Sequence, residues 1–201
     1  IGTENVIKIK TDINSKIDIH DLEIQINEQI KIGKQPFAIV ATAGTTVSGN
    51  IDPLMDISKL AQKFDLWLHI DAIYGGAIIF SEKYKHLISG VEEADSVSFN
   101  PQKWMYVAKT CSMILFRDFN KMVENFRISA PYMKEQSAYI NLGEINVQGT
   151  KYAEVVKLWL SLQSLGKNGY EKLIDYSFYL TEEFEIEISK RPFLKLTSNP
   201  K

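Results

Sequence analysis

Hydrophobic positions along the chain follow two spacings, one typical of helices and one typical of buried strands. Between Asp18 and Gly33 apolar residues recur every three or four positions, which predicts a helix capped by Asp18 and ended by the glycine. Residues 37–41 form a short, uninterrupted apolar run, which suits a strand covered on both faces. Asp52 and Pro53 then predict the N-cap and the first position of a second helix.

Three further strands are predicted after this second helix, which is expected to end near Phe64. They cover residues 66–70, 96–99 and 112–116. Helices that alternate with short buried strands favour an α/β fold, in which helices pack in layers on a mostly parallel sheet.

The pattern becomes less regular in the last part of the chain. Residues 118–150 contain one weakly helical stretch and otherwise predict a long loop, and loops of such length are often functional. Residues 151–165 predict a helix ended by Gly166, and another helix is expected over about 170–190. Residues 193–196 predict a final strand.

Composition and charge narrow the class of protein. The 201 residues are 45 % hydrophobic and 24 % charged, the balance of a folded globular protein. The net charge of -2 gives no basic surplus for nucleic acid or an anionic membrane, and no apolar run approaches the roughly 20 residues of a membrane span. The single cysteine, Cys111, excludes an intramolecular disulfide and predicts a reducing, cytoplasmic setting. The abrupt ends at Ile1 and Lys201 suggest a segment of a longer chain.

Candidate chemistry lies where the predicted strands end, because ligands of open α/β sheets collect beyond the carboxyl ends of the strands. Asp71 ends the second predicted strand and Lys103 follows the third. Alone, such an acid usually caps a helix and such a lysine is usually solvated. Together they match the needs of pyridoxal phosphate, which binds a lysine amine as a Schiff base and needs a carboxylate to keep its pyridine nitrogen protonated. The lysine attacks as a neutral amine, which requires a lowered pKa.

Five strings of residues carry a resemblance to a known family: 40–46, 67–72, 74–76, 94–96 and 100–104. They resemble the group II pyridoxal-phosphate-dependent amino-acid decarboxylases, which include the aromatic-L-amino-acid, tyrosine, glutamate and cysteine-sulfinate decarboxylases. The separation of acid and lysine, 103 − 71 = 32 residues, also matches that family.

This resemblance implies a three-layer α/β fold with a mostly parallel sheet, of the aspartate aminotransferase-like type (fold type I). Residues 1–165 would form the central part of the large, cofactor-binding domain. Residues 166–201 would form a helical connection toward a carboxy-terminal small domain.

The resemblance also assigns roles to single residues. Lys103 would form the Schiff base, and Asp71 would pair with the pyridine nitrogen. Thr46 would lie beside the ring, and Asn100 near the phosphate. Alternation along a strand places His69 on the same face as Asp71, so that His69 is either an orienting residue or simply a buried histidine.

Two more residues take roles from the resemblance, and two depart from its pattern. Tyr132, 29 residues beyond the lysine, would protonate Cα after carbon dioxide leaves, unless it is a surface-loop aromatic. Thr150 belongs to a segment that would reach the cofactor of the partner subunit. Gln102 stands where the family usually has a histidine, and Ile73 where it usually has alanine. Both are expected beside the cofactor, and glutamine cannot titrate near neutral pH.

The expected activity is decarboxylation of an L-amino acid to an amine and carbon dioxide by a homodimer whose active site lies at the subunit interface. A lyase or transaminase of the same fold, or a cofactor-binding but inactive homologue, would share the acid and the lysine. The residues do not separate aromatic from acidic substrates. Neither a metal, a nucleic acid nor a membrane is expected as a partner, and these 201 residues alone are expected to bind the cofactor weakly and to be inactive.

Overall fold

The computed structural model describes residues 2–127, 143–146, 148–149 and 151–197. Within these ranges four strands form one sheet in the order β1 (Ala38–Thr42), β2 (Trp67–Asp71), β3 (Ser96–Phe99) and β4 (Met113–Phe116). The pairs β1–β2 and β2–β3 are parallel, and β4 runs antiparallel to β3. The mostly parallel sheet predicted from the alternation of strands and helices is therefore confirmed.

Four α-helices accompany the sheet in the described ranges: α1 (Ile19–Lys31), α2 (Leu54–Lys63), α3 (Phe119–Phe126) and α4 (Val155–Ser189). The Asp18 side chain accepts hydrogen bonds from the backbone N–H groups of His20 and Asp21, so the predicted cap of α1 is confirmed. Short 3-10 helices at Thr3–Asn5, Gly75–Phe80, Lys85–Ile88 and Val91–Glu93 complete the secondary structure, the last three lying between β2 and β3.

The main core lies between the sheet and the pair α1 and α2. Its buried side chains come from alternate strand residues and from the inward faces of the two helices: Ile39, Ala41, Leu68, Ile70, Leu22, Ile26, Leu54, Ile57, Leu60 and Ala61. The intervening residues of β1 are exposed, and Val40 keeps 62 % of its surface accessible. Among the described residues, β1 is therefore covered on one face, by the core that it shares with α1 and α2.

The start of α2 differs from the prediction. Pro53, not Asp52, occupies the N-cap of α2. The carboxylate of Asp52 instead accepts hydrogen bonds from the N–H groups of Ile17 and Thr42, each at 2.8 Å. Asp52 is buried, and satisfying two main-chain donors with one carboxylate ties the segment before α1 to the end of β1.

The carboxy-terminal part agrees with the prediction at Gly166 and disagrees beyond α4. Gly166 has φ 61° and interrupts the helical backbone inside α4, as predicted, after which the helix resumes at once. Residues 193–196 form no strand: Leu194 N–H bonds to Arg191 O in a turn, and Phe193 is 82 % exposed. An apolar run needs a neighbouring strand edge to become a strand, and this turn supplies none.

A second cluster joins α4 to the segments beyond β2 and β3. Tyr170 and Ile174 are fully buried against Ala77 and Met105. This packing holds the residues that follow the strand ends, where the candidate site lies. Among the described helices, none is sufficiently long and apolar to cross a membrane.

Candidate active site

The candidate site begins with Asp71, the last residue of β2. Its Oδ1 accepts a hydrogen bond from Ile73 N–H at 3.1 Å and one from the Ser98 hydroxyl at 3.3 Å. No hydrogen bond engages Oδ2 within the described residues, so one carboxylate oxygen is held in place while the other can meet a ligand. The predicted position of Asp71 at the strand end is confirmed.

A close approach of backbones joins the segments that follow β1 and β2. Gly75 N–H donates to Ala43 O at 3.0 Å. A Cβ atom on Gly75 would lie only 2.3 Å from that oxygen, so the contact requires glycine. Gly44 has φ 93°, which also favours glycine.

The predicted cofactor residue Thr46 lies in the loop after β1 and is exposed. Its neighbour Thr45 holds the loop, since its hydroxyl lies 2.7 Å from that of Ser48 and its N–H donates to Asn50 O. Within the described residues no hydrogen bond links Thr46 to Asp71. The register pairs Thr42 with Asp71, so Thr46 follows the strand that neighbours the acid.

Lys103 lies in the turn that follows β3, and its side chain is exposed. Its N–H donates to Asn100 O and its carbonyl accepts from Tyr106 N–H, each at 3.0 Å. The next residue, Trp104, stacks on Tyr74 with ring centroids 4.9 Å apart and planes 17° from parallel. Because Tyr74 lies three residues beyond Asp71, this stack brings the segments carrying the acid and the lysine into contact.

Two amide side chains flank the lysine, and both use their carbonyl oxygens inside the protein. Asn100 Oδ1 accepts a hydrogen bond from the Ser112 hydroxyl. Gln102 Oε1 accepts one from Cys111 N–H at 2.7 Å. Within the described residues neither NH₂ group makes a hydrogen bond, and such N–H donors suit an anion such as a phosphate.

His69 lies on the same strand as Asp71, two residues earlier, and contacts Ser96 of the paired strand. Trp67 Nε1 donates to the Ser96 hydroxyl at 2.9 Å, and His69 Nδ1 lies 2.8 Å from the same oxygen. The Ser96 hydroxyl thus contacts the indole nitrogen of Trp67 and Nδ1 of His69, and it fixes the orientation of the imidazole on this face of the sheet. Burial lowers the pKa of His69, and the charge of Asp71 opposes this shift without reversing it.

Tyr74 and Trp104, which stack on each other where the two loops meet, belong to the strings that resemble the family, but no role was predicted for them. Trp104 also packs against Phe178 of α4, with centroids 5.5 Å apart. Burial raises the pKa of the Tyr74 phenol, and the nearby Tyr106 adds to the shift. Tyr74 therefore stays protonated and neutral at physiological pH.

Sequence reasoning missed Ser96 and Ser98, which hold His69 and Asp71. Their alternation in a predicted strand was a usable signal, because residues two apart share a strand face. The register that pairs them with His69 and Asp71 was not visible in the sequence. Ile73, which departs from the family pattern, contributes its main-chain N–H to Asp71, a contact that any residue but proline could make.

Two predicted residues, Tyr132 and Thr150, lie outside the described residues, and their roles stay predictions. The described residues fit pyridoxal phosphate: an accessible lysine amine, a carboxylate with one unused oxygen, and two amides with donors to spare. Within the same ranges no group of three or more His, Cys, Asp or Glu side chains is arranged to hold a metal ion.

Comparison with known proteins places this site in a family. The family model described as the pyridoxal-dependent decarboxylase conserved domain matches residues 1–201. The acidic amino acid decarboxylase GADL1 of Xenopus tropicalis is 36 % identical over the whole chain, which covers 40 % of that protein. The cysteine sulfinic acid decarboxylase of Rattus norvegicus is 37 % identical over the whole chain, which covers 42 % of it.

Solved structures show the same fold. The crystal structure of mouse CSAD in apo form has a TM-score of 0.93 and 36 % identity, with 99 % of this chain and 42 % of that chain covered. The glutamate decarboxylase domain of a Vibrio parahaemolyticus protein has a TM-score of 0.82 and 29 % identity, with 98 % of this chain and 38 % of that chain covered. The chain thus spans about two fifths of the length of these relatives. The predicted fold, that of the pyridoxal-phosphate-dependent decarboxylases of fold type I, is confirmed.

Proposed function

The chain belongs to the pyridoxal-dependent decarboxylase family, and from this membership we propose that the protein decarboxylates an L-amino acid with pyridoxal phosphate as cofactor. One observation of the site carries the proposal: Asp71 is held through Oδ1 while Oδ2 makes no hydrogen bond within the described residues, and Tyr74, three residues further on, stacks on the neighbour of Lys103. Decarboxylation needs that pair, because the lysine binds the cofactor and the carboxylate keeps the pyridine nitrogen protonated.

Each residue of the site then has a definite task. Lys103 would bind the cofactor through its amine, and Asn100 and Gln102 would donate amide hydrogens to the phosphate. Asp71 would hold the proton on the pyridine nitrogen, with Ile73 N–H and Ser98 keeping the carboxylate oriented. When bound, pyridoxal phosphate supplies an electron sink for the pair left at Cα as carbon dioxide departs.

The substrate proposed is an acidic amino acid. Curated relatives that share 34–37 % identity with the whole chain are named acidic amino acid decarboxylases or cysteine sulfinic acid decarboxylases. This supports aspartate, glutamate or cysteine sulfinate over aromatic amino acids, a choice that the residues of the chain left open.

Assembly, location and the remaining residues complete the proposal. We propose a homodimer in the cytoplasm, with Thr150 near the cofactor of the partner subunit. Tyr132 is proposed as the donor of the proton that replaces carbon dioxide at Cα. Residues 1–165 would belong to the cofactor domain, and 166–201 would lead toward a small domain.

The test is carbon dioxide release by the purified full-length protein with pyridoxal phosphate, on a panel of acidic and aromatic amino acids. We expect release from acidic substrates and a visible absorption band from the lysine-bound cofactor. Lys103→Ala should lose both the band and the activity, because no other group replaces the amine. Lys121→Ala, which removes an exposed lysine of α3, is the matched control and should retain both.

The other outcomes identify the alternatives. A band that persists in Lys103→Ala would refute the lysine assignment. A bound cofactor without carbon dioxide release from any amino acid would favour an inactive homologue. Formation of an oxo acid would favour a transaminase.

A further inference from the structure

Lys103 lies in the segment that joins β3 to β4, and side-chain hydrogen bonds link the two ends of this segment. The ladder between β3 and β4 ends with the pair Phe99 and Met113. We define residues 100–112 as the lysine turn. Just beyond the ladder, Asn100 Oδ1 accepts from the Ser112 hydroxyl, and Gln102 Oε1 accepts from Cys111 N–H at 2.7 Å. Side-chain carbonyl oxygens thus accept hydrogen bonds across the turn beyond the last pair of the ladder.

The bond from Cys111 matters most, because its donor is buried. Cys111 is 5 % exposed, and a buried N–H without an acceptor costs more than an exposed one. The main-chain contact in the other direction, Gln102 N–H to Cys111 O, is long at 3.4 Å. Of the two hydrogen bonds between Gln102 and Cys111, the one to the side-chain carbonyl of Gln102 is therefore the shorter and stronger.

Resting on the proposed function, we propose that Gln102 is a positioning residue that sets Lys103 toward the cofactor by closing the lysine turn. Lys103 is the next residue in the chain, so a hydrogen bond that fixes Gln102 also restricts the backbone that carries the lysine amine. An amide neither gains nor loses a proton near neutral pH, so this closure is independent of pH.

Other ionisable groups lie near the turn, and their influence on a pH dependence must be distinguished from that of the side chain at position 102. Lys103 lies in the turn, the Cys111 thiol has its pKa raised by burial, and Lys157 and Glu154 act on that thiol from α4 and from its N-cap. Lys157 Nζ also donates to Lys109 O at 2.7 Å. All of these groups are present in every variant of Gln102, so a pH dependence found in one variant only must come from the side chain introduced there.

The test measures hydrogen exchange at the Cys111 amide in the full-length protein without cofactor, at single-residue resolution. Gln102→Leu removes the acceptor and should speed exchange about tenfold, the effect of losing one hydrogen bond. Gln102→Glu keeps an acceptor oxygen and should protect Cys111 as the wild type does. Gln62→Leu makes the same chemical change on α2 and should leave Cys111 unaffected.

A histidine variant adds the pH signature. A neutral imidazole can accept from Cys111 N–H, whereas an imidazolium cannot. Gln102→His should therefore protect Cys111 at pH 8 and lose that protection below about pH 6.5, after correction for the intrinsic exchange rate. The dissociation constant of pyridoxal phosphate, measured by titration of the apo-protein, should rise about tenfold in Gln102→Leu.

Wild-type exchange at Cys111 in Gln102→Leu would overturn the proposal, even if cofactor binding weakened, because Gln102 would then act on the ligand alone. Protection of the Cys111 amide that does not change with pH in Gln102→His would overturn the proposal as well. Exchange of the apo-protein does not depend on turnover. If exchange follows the expected pattern and no amino acid is decarboxylated, the proposed function fails while the role of Gln102 in closing the turn stands.

Discussion

The two faces of the sheet use the same strands for different purposes. On the face against α1 and α2, Leu68 and Ile70 are almost completely buried among apolar side chains. On the other face, the alternate residues His69 and Asp71 are half-buried and hydrogen-bonded to serines of β3. Neighbouring residues of β2 thus serve different purposes, one set packing in the core and the other facing the candidate site. A substitution of Ile70 should therefore affect mainly stability, and one of Asp71 mainly activity.

The largest effect is expected on the covered face. Ile70→Ala should lower the free energy of unfolding by about 4 kcal/mol, because Ile70 is 0 % exposed and its truncation leaves a cavity. Urea denaturation of the full-length protein measures the change. The comparison variant is Val40→Ala on the opposite face of the sheet, where the side chain is 62 % exposed among the described residues and the expected loss is smaller. Equal losses in both variants would remove the distinction between the faces.

Asp71→Asn should leave folding nearly unchanged and reduce kcat by about 10²–10³-fold, the cost of one lost electrostatic contact at a reacting centre. The amide can still accept from Ile73 N–H, but it carries no charge to hold a proton on the cofactor. Steady-state kinetics and a urea curve on the same preparation test both halves. Asp95→Asn makes the same change at a residue that accepts from Leu68 N–H at 2.8 Å, and it should keep normal kinetics.

The smallest effect concerns the pH dependence of stability at His69. Burial lowers the pKa of His69 in the folded protein below its ordinary value of 6.5. The unfolded chain then binds more protons than the folded one as pH falls, so this residue lowers stability as pH drops below about 6.5 and has no such effect above it. His69→Gln should flatten the dependence of the unfolding midpoint between pH 7 and pH 5. An unchanged slope would show that His69 does not titrate differently on folding.

The sequence predicted the elements near the site better than it predicted their surroundings. All four strands were placed within a residue or two, because each is a short apolar run bounded by turn residues. Which face of β1 packs against α1 and α2 was not predictable, since a run of apolar residues does not say which face meets a helix. The strand predicted over 193–196 failed because strand formation depends on a neighbouring edge.

Within the site, the positions of Asp71 and Lys103 after successive strands were predictable, because the strands themselves were placed correctly. The contacts of Gln102 were not. Its sequence position suggested a residue beside the cofactor but did not reveal that its carbonyl also bonds to Cys111 across the turn. That partner lies nine residues away along the chain, and only the return of the chain into β4 brings it close.

The sequence by itself determined which groups are available: the acid, the lysine, the flanking amides, and the short apolar runs that form the strands. Tertiary structure alone decided which groups meet. Strand register set Ser98 against Asp71, and the stack of Tyr74 on Trp104 joined the loops of the acid and the lysine. The physical reason is the range of the forces: periodicity and capping act within a few residues, whereas a hydrogen bond or an aromatic contact forms wherever folding brings its partners within a few ångströms.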